Sequence, residues 1–297
     1  MSDPLQPITR RELIASGAAA AATLAIGTGP RPAAAAGKGS RVVLVRRPDV
    51  LDGEGAPRAA VLHEMLDAAV GALLDDAEPE AAWRKLLTPH DVVGVKSNRW
   101  SRLATPPALE DAIVARARTV GVSADAVAVE DQGVLASPVF RRATALVNIR
   151  PMRTHHWAGL GTLLKNYIMF VAEPWTYHDN ACERLGEIWT LPHVRGKTRL
   201  NVLVMLTPLF HGTGPHHFSR TFTWPYAGLL VSQDPVAADA VGAAIIAARR
   251  REHFGEDRPI APSPHHIAIA DTRYGVGVSR LDAIDLVRLG ERAGSLV

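Results

Sequence analysis

From Gly37 onward, short apolar runs alternate with segments whose apolar positions recur every three or four residues. The runs are Val42 to Val45, Val92 to Val95, Ala126 to Val129, Ala145 to Ile149, Leu200 to Leu206, Gly228 to Val231 and Ile267 to Ala270. They are nearly continuous rather than alternating, which is the pattern of strands covered on both faces. Between them, Ala59 to Leu74 sets Val61, Leu62, Met65, Leu66, Ala69 and Leu73 at helical spacing. Helices are also predicted over Pro107 to Val120, Gly159 to Val171 and Pro235 to Arg251. This alternation predicts an α/β fold: a mostly parallel open sheet with helices on both faces. There is no internal repeat and no glycine-serine hinge, and only Thr207 to Pro225 reads as a long loop, so residues 37–297 are expected to form a single domain.

The first 36 residues read differently. Arg10-Arg11 precede an alanine-rich apolar stretch ending near Ile26, and Ala34-Ala35-Ala36 follow as a small-residue cleavage site. This order resembles a twin-arginine signal peptide, and the apolar stretch is shorter than the roughly twenty residues that span a bilayer. The expectation is export by the twin-arginine machinery, cleavage near Ala36, a periplasmic or secreted product, and no stable membrane anchor afterwards.

Composition narrows the chemistry. A formal charge of +3 over 297 residues gives no basic footprint for nucleic acid. One cysteine, Cys182, excludes an internal disulfide and an intrinsic iron–sulfur cluster. No P-loop, G-x-S-x-G elbow or H-E-x-x-H helix is present.

In open parallel sheets, ligands sit beyond the carboxyl ends of the strands. Polar residues gather there: Lys96-Ser97-Asn98 after Val95, Glu130-Asp131 after Val129, Arg150 through His156 after Ile149, His211 after Leu206, and Asp234 after Val231. If the strands are parallel, these segments share one rim. Val93 to Asn98, then Pro151-Met152-Arg153-Thr154-His155-His156 leading to Leu164-Lys165-Asn166, then Ser232 to Asp239, resemble the family catalogued as domain of unknown function 362. The resemblance implies an α/β fold with a polar cleft. Many members of that family add cysteine-rich ferredoxin-like segments, which this sequence lacks.

Seven of the twelve histidines lie between His155 and His217, and four of the six tryptophans between Trp157 and Trp224. Surface placement accounts for His216, His217, His265 and His266, because adjacent residues on extended chain point apart. His155, at a strand end beside Arg153 and ahead of Lys165, is the expected acid or base. Lysines number only five after the first 36 residues, and two of them, Lys96 and Lys165, fall in the motif positions. Lysine on an apolar element is costly without a carboxylate or an anionic ligand.

Lys96, His155 and Lys165 are therefore read as catalytic. Arg153, Asn98, Asn166, Asp131 and Asp234 are read as binding a small anionic ligand, although Asp234 before Pro235 also fits a helix N-cap. An alternative is a metal- or cofactor-dependent enzyme in which His155, His211 and Asp234 hold an ion. The order Thr-His, glycine, lysine is distantly similar to lactate racemase-like proteins, which hold a nickel-pincer cofactor. A third reading is a non-catalytic periplasmic anion-binding protein.

Overall fold

The computed structural model describes residues 40–297 except 213, 215 and 216. The segment read as a signal peptide, and His216, lie outside the described residues.

Eight strands form one sheet in the order β3-β2-β4-β6-β7-β1-β8, with β5 paired to β4. They are β1 (Ser40–Arg46), β2 (Val93–Lys96), β3 (Val127–Glu130), β4 (Ala145–His155), β5 (Gly159–Gly161), β6 (Thr198–Leu209), β7 (Gly228–Ser232) and β8 (Ile284–Gly290). The pairs β2·β3, β2·β4, β4·β6 and β1·β8 are parallel, whereas β7 is antiparallel to both β6 and β1. Six strands therefore share one direction, and β5 and β7 oppose it.

Side-chain alternation along the strands builds a core on each face. Val43, Val45, Val93, Val95, Val147, Ile149, Val202 and Val204 pack with the helices α1 (Ala59–Leu74), α2 (Pro79–Leu86) and α3 (Pro107–Thr119). On the other face, Val42, Leu44, Leu203 and Leu230 meet Ala237, Ala238 and Val241, and Leu146 meets Phe140 and Leu164. The helices there are α4 (Pro138–Arg142), α5 (Leu163–Asn166), α6 (Leu185–Ile188), α7 (Pro235–Phe254) and α8 (His266–Thr272). Among the described residues, no helix is long and apolar enough to cross a membrane.

Three expectations change. Ile267 to Ala270 lies in helix α8, not a strand; a four-residue apolar run has no period that separates the two. The last strand is β8, parallel to β1. Gly159 to Val171 is not one helix. Gly159–Gly161 turns back and pairs with Arg153–His155, and helical backbone begins only at Leu163. Gly159 is required at this turn: its φ is +69°, and a Cβ there would lie 2.0 Å from the Pro262 carbonyl oxygen.

Candidate functional site

On the α5 and α7 face, a polar row interrupts the otherwise apolar sheet. Lys96 pairs in register with Asn148, and Asn148 with Asn201, across β2, β4 and β6; all three are fully buried. Asn166, on α5, closes the row from above. Its Nδ2 donates to Asn148 Oδ1 (2.8 Å), the Ile149 carbonyl (3.1 Å) and the Lys96 carbonyl (3.2 Å). Asn148 in turn donates to Leu163 O and Asn201 Oδ1, each at 3.1 Å. Satisfied networks of this kind rigidify what they join. Here they fix α5 against the ends of two strands.

The turn before α5 is held as firmly. Buried Asp239, on α7, accepts from Leu163 N (2.8 Å) and Leu164 N (2.9 Å), and Thr162 Oγ1 sits 3.1 Å from His266 Nε2. Burial pushes the Asp239 carboxyl up to about 7 despite these donors. Asp239 is thus a positioning residue for the helical turn that carries Lys165.

β4 runs on past the end of β2, beside the far part of β6 where Arg153 pairs with Leu209, before folding back into β5, and this extension carries Arg153 and His155. Beneath it lies a cavity of about 520 Å³, lined by Lys96, Asn98, Asp131, Arg150, Arg153, His155, Lys165 and Asn166. Trp100, Trp157 and His178 are among the other residues in its wall. The size suits a small ligand. Seven of the eight residues read as catalytic or anion-binding, all but Asp234, meet here.

Charge is the cavity's main property. Lys96 is paired: Nζ donates to Asp131 Oδ1 at 2.9 Å and to the Ser97 carbonyl, with Asn166 Oδ1 at 3.4 Å. Arg99, at the margin, pairs with Glu110 at 2.9 Å. Arg150, Arg153 and Lys165 have no carboxylate within ion-pair distance among the described residues. Arg150 and Arg153 are 3% and 4% exposed, and Arg150 Nε, Arg153 Nε and Arg153 Nη1 have no hydrogen-bond partner among the described residues. Arg153 Nη2 reaches Asn98 Oδ1 at 3.5 Å, and its guanidinium lies 4.3 Å from the Trp100 ring centroid.

Two other buried arginines show the contrast. Arg46 donates to the carbonyls of Tyr226 and Ala293, and Arg250 to those of Phe210, Arg258 and Pro259. Those guanidiniums tie loops together, whereas Arg150 and Arg153 keep donors free. Burial depresses Arg150 to about 10, and burial plus repulsion from Arg150 also holds Arg153 well below the ordinary guanidinium value. Guanidinium does not shed its proton in proteins, so the relief available is a counter-anion.

Burial, with Lys165, Arg150 and Arg153 nearby, holds the His155 imidazole neutral. Its Nδ1 accepts from Trp157 N–H at 3.2 Å, which leaves Nε2 as the ring's proton-bearing nitrogen. His155 stacks on His156, and Trp157 on His178 with centroids 3.9 Å apart.

Asp234 is a correction. Because β7 opposes its neighbours, Ser232 ends it beside Val42 and Asn201, near the starts of β1 and β6. There Asp234 caps α7, accepting from Val236 N (2.8 Å) and Ala237 N (3.0 Å), and it also accepts from Ser40 Oγ and Val278 N. His211 is a second correction: its Nδ1 faces Arg250 Nη1 at 3.0 Å, and its ring packs against Phe222 and Phe254. His155, His211 and Asp234 therefore form no metal centre, and no group of three metal-ligating side chains occurs among the described residues. The donor sets present do not fit a metal ion held by those three residues.

Sequence reasoning missed Arg150, Trp100, His178 and the role of Asp239. A signal for Arg150 existed: Asn148 and Arg150 share a period of two within an apolar strand.

No curated protein and no solved structure matches the chain. Residues 125–244, which include Asp131, Arg150, Arg153, His155 and Lys165 but not the Val93–Asn98 segment, match the model of a family described as Domain of unknown function (DUF362), and over that segment the chain is similar to this family.

Proposed function

We propose that this protein binds a small organic anion in the cleft between β2, β4 and α5. Arg150, Arg153 and Lys165 supply the charge, Asn98 helps to orient Arg153, and neutral His155 donates a hydrogen bond from Nε2–H. One observation carries the reading: three guanidinium nitrogens of two buried arginines have no acceptor among the described residues, beside a cavity of ligand size. Such donors gain most from a carboxylate or phosphate, which takes bidentate bonds from arginine. Lys96 and Asp131, paired with each other, form the floor.

Calorimetry with phosphate, sulfate, malonate and glutarate tests this. Saturable binding of at least one, weakened by about 10- to 100-fold in Arg153→Ala, is expected from the loss of one charged hydrogen-bonding group. Absence of binding by all four, or equal affinity in the variant, would overturn the reading. His155→Gln should keep binding and lose any turnover of the bound anion.

The proposal places this activity outside the cytoplasm, on the strength of Arg10-Arg11, the alanine-rich stretch and the Ala34-Ala35-Ala36 site. Replacing both arginines with lysine should retain the full-length precursor inside the cell. Unchanged export would sink that assignment.

A further inference from the structure

We propose that Lys165 forms an imine with its ligand, so that the anion taken by this cleft carries an aldehyde or ketone carbonyl near its acid group. The inference rests on the anion reading above and names the ligand class.

The two cavity lysines are built differently. Lys96 Nζ has a carboxylate, a backbone carbonyl and an amide oxygen around it, a set that holds an ammonium. Lys165 is 3% exposed, and its Nζ has one hydrogen-bond partner among the described residues, Cys182 Sγ at 3.5 Å. A thiol accepts from an ammonium and also donates to a free amine, so it does not lock the charge as a carboxylate would.

The chain reaches this arrangement through an unusual turn. Asn180, Ala181 and Cys182 have φ of 48°, 53° and 64°, three consecutive non-glycine residues in the left-handed region. That conformation costs about 1 to 2 kcal/mol per residue. It brings the chain's one cysteine, fully buried, against Nζ. Backbone of this kind gathers at functional sites.

The surroundings raise the share of neutral amine available for attack above that of an exposed lysine. Burial brings Lys165 down to about 8; Cys182 opposes the shift, while Arg150 and Arg153 add to it. Desolvation beside other cations is the established way to make a lysine nucleophilic. The same arginines would grip the acid group, setting a neighbouring carbonyl within the cavity that Lys165 lines, while His155 Nε2–H would polarise its oxygen.

The chemistry balances without an oxidant. The Nζ lone pair attacks the carbonyl carbon, a C–N bond forms, and the π electrons pass to oxygen. The proton lost from nitrogen travels through water to that oxygen. That oxygen, now a hydroxyl, takes a second proton from water; the C–O bond breaks, water leaves as the nitrogen lone pair forms the C=N bond, and the iminium nitrogen returns its remaining proton to water.

Wild-type protein incubated with 2-oxoglutarate and sodium cyanoborohydride, then mapped by peptide mass spectrometry, tests the assignment. Reduced adduct should accumulate on Lys165 roughly tenfold or more faster than on exposed Lys85. Excess glutarate, which has the acid groups but no ketone, should suppress it, and Arg153→Ala should abolish the preference. Glutarate binding measured separately by calorimetry keeps the two readings apart. Saturable glutarate binding with no preferred adduct on Lys165 overturns the imine and leaves the anion site standing. Absence of both overturns the imine together with dicarboxylate binding.

Discussion

Lys96 Nζ meets Asp131 Oδ1 at 2.9 Å across the ends of two adjacent parallel strands, and this pair forms the floor of the cleft. Burial lowers Lys96 to about 8, while Asp131 works to restore its charge. Burial raises the Asp131 carboxyl, but Lys96, the Arg99 N–H and Arg150 together bring it below the ordinary carboxylate value. Asp131→Asn leaves a buried ammonium unpaired, and a loss of about 3 kcal/mol in unfolding free energy is expected. Urea denaturation at neutral pH measures it. A loss near zero would mean that the pair contributes nothing to the fold.

The two depressed lysines predict a rise in stability with alkali. Both fall from 10.5 to about 8 in the folded protein. Between those values the unfolded chain binds more protons than the native one, so stability rises with pH, by of the order of 1 kcal/mol per pH unit for each lysine. Asp239, pushed up to about 7, acts in the opposite sense at lower pH: its contribution is full below 3.8 and is lost as pH rises through about 7. Urea midpoints at pH 8 and pH 10 should differ upward in wild type and by less in Lys165→Met. A bound anion, by restoring the lysine charge, should flatten the rise. An equal slope in wild type and Lys165→Met would remove Lys165 from the account.

Arg150→Met should trade binding for stability. The side chain is 3% exposed and its Nε is unpartnered, so a methionine of similar length removes a desolvated charge. A gain of about 1 to 2 kcal/mol is expected, with anion affinity falling by about tenfold or more. Gly161→Ala probes the same guanidinium by crowding. A Cβ there would lie 2.8 Å from Arg150 Nη2, the far end of a flexible side chain, so affinity should fall with little change in stability. Thermal denaturation beside calorimetry checks both variants; lower stability with unchanged affinity in Arg150→Met would make the arginine structural.

Asp234→Ala should behave as a cap and nothing else. Two α7 backbone donors and Val278 N lose their acceptor. A cost of about 1 to 2 kcal/mol is expected, with anion affinity unchanged. A tenfold drop in affinity would return Asp234 to the binding site.

The periodicity of the chain located β1, β2, β3, β6, β7, α1, α3 and α7 to within a few residues, because burial on two faces and on one helical stripe leaves different spacings. It failed where backbone pairing outweighed local preference, as at Gly159–Gly161, and where four apolar residues had to be assigned alone, as at Ile267 to Ala270. Lys96, Arg153, His155 and Lys165, which line one cavity, were legible as a candidate site because charged residues at the ends of apolar elements need a reason to be there. Arg150 left only the signal of sharing a two-residue period with Asn148, and nothing local distinguishes a guanidinium left without acceptors from one spent on carbonyls.

The sequence by itself determined the α/β class, the cores on both faces and the polar character of the strand ends, all of which depend on near neighbours and on burial. Strand direction was left to the tertiary structure. An apolar run reads alike in either sense, so only the pairing of β7 against β6 and β1 decided that Asp234 caps a helix away from the cleft, while parallel pairing of β2, β3, β4 and β6 brought the cations together.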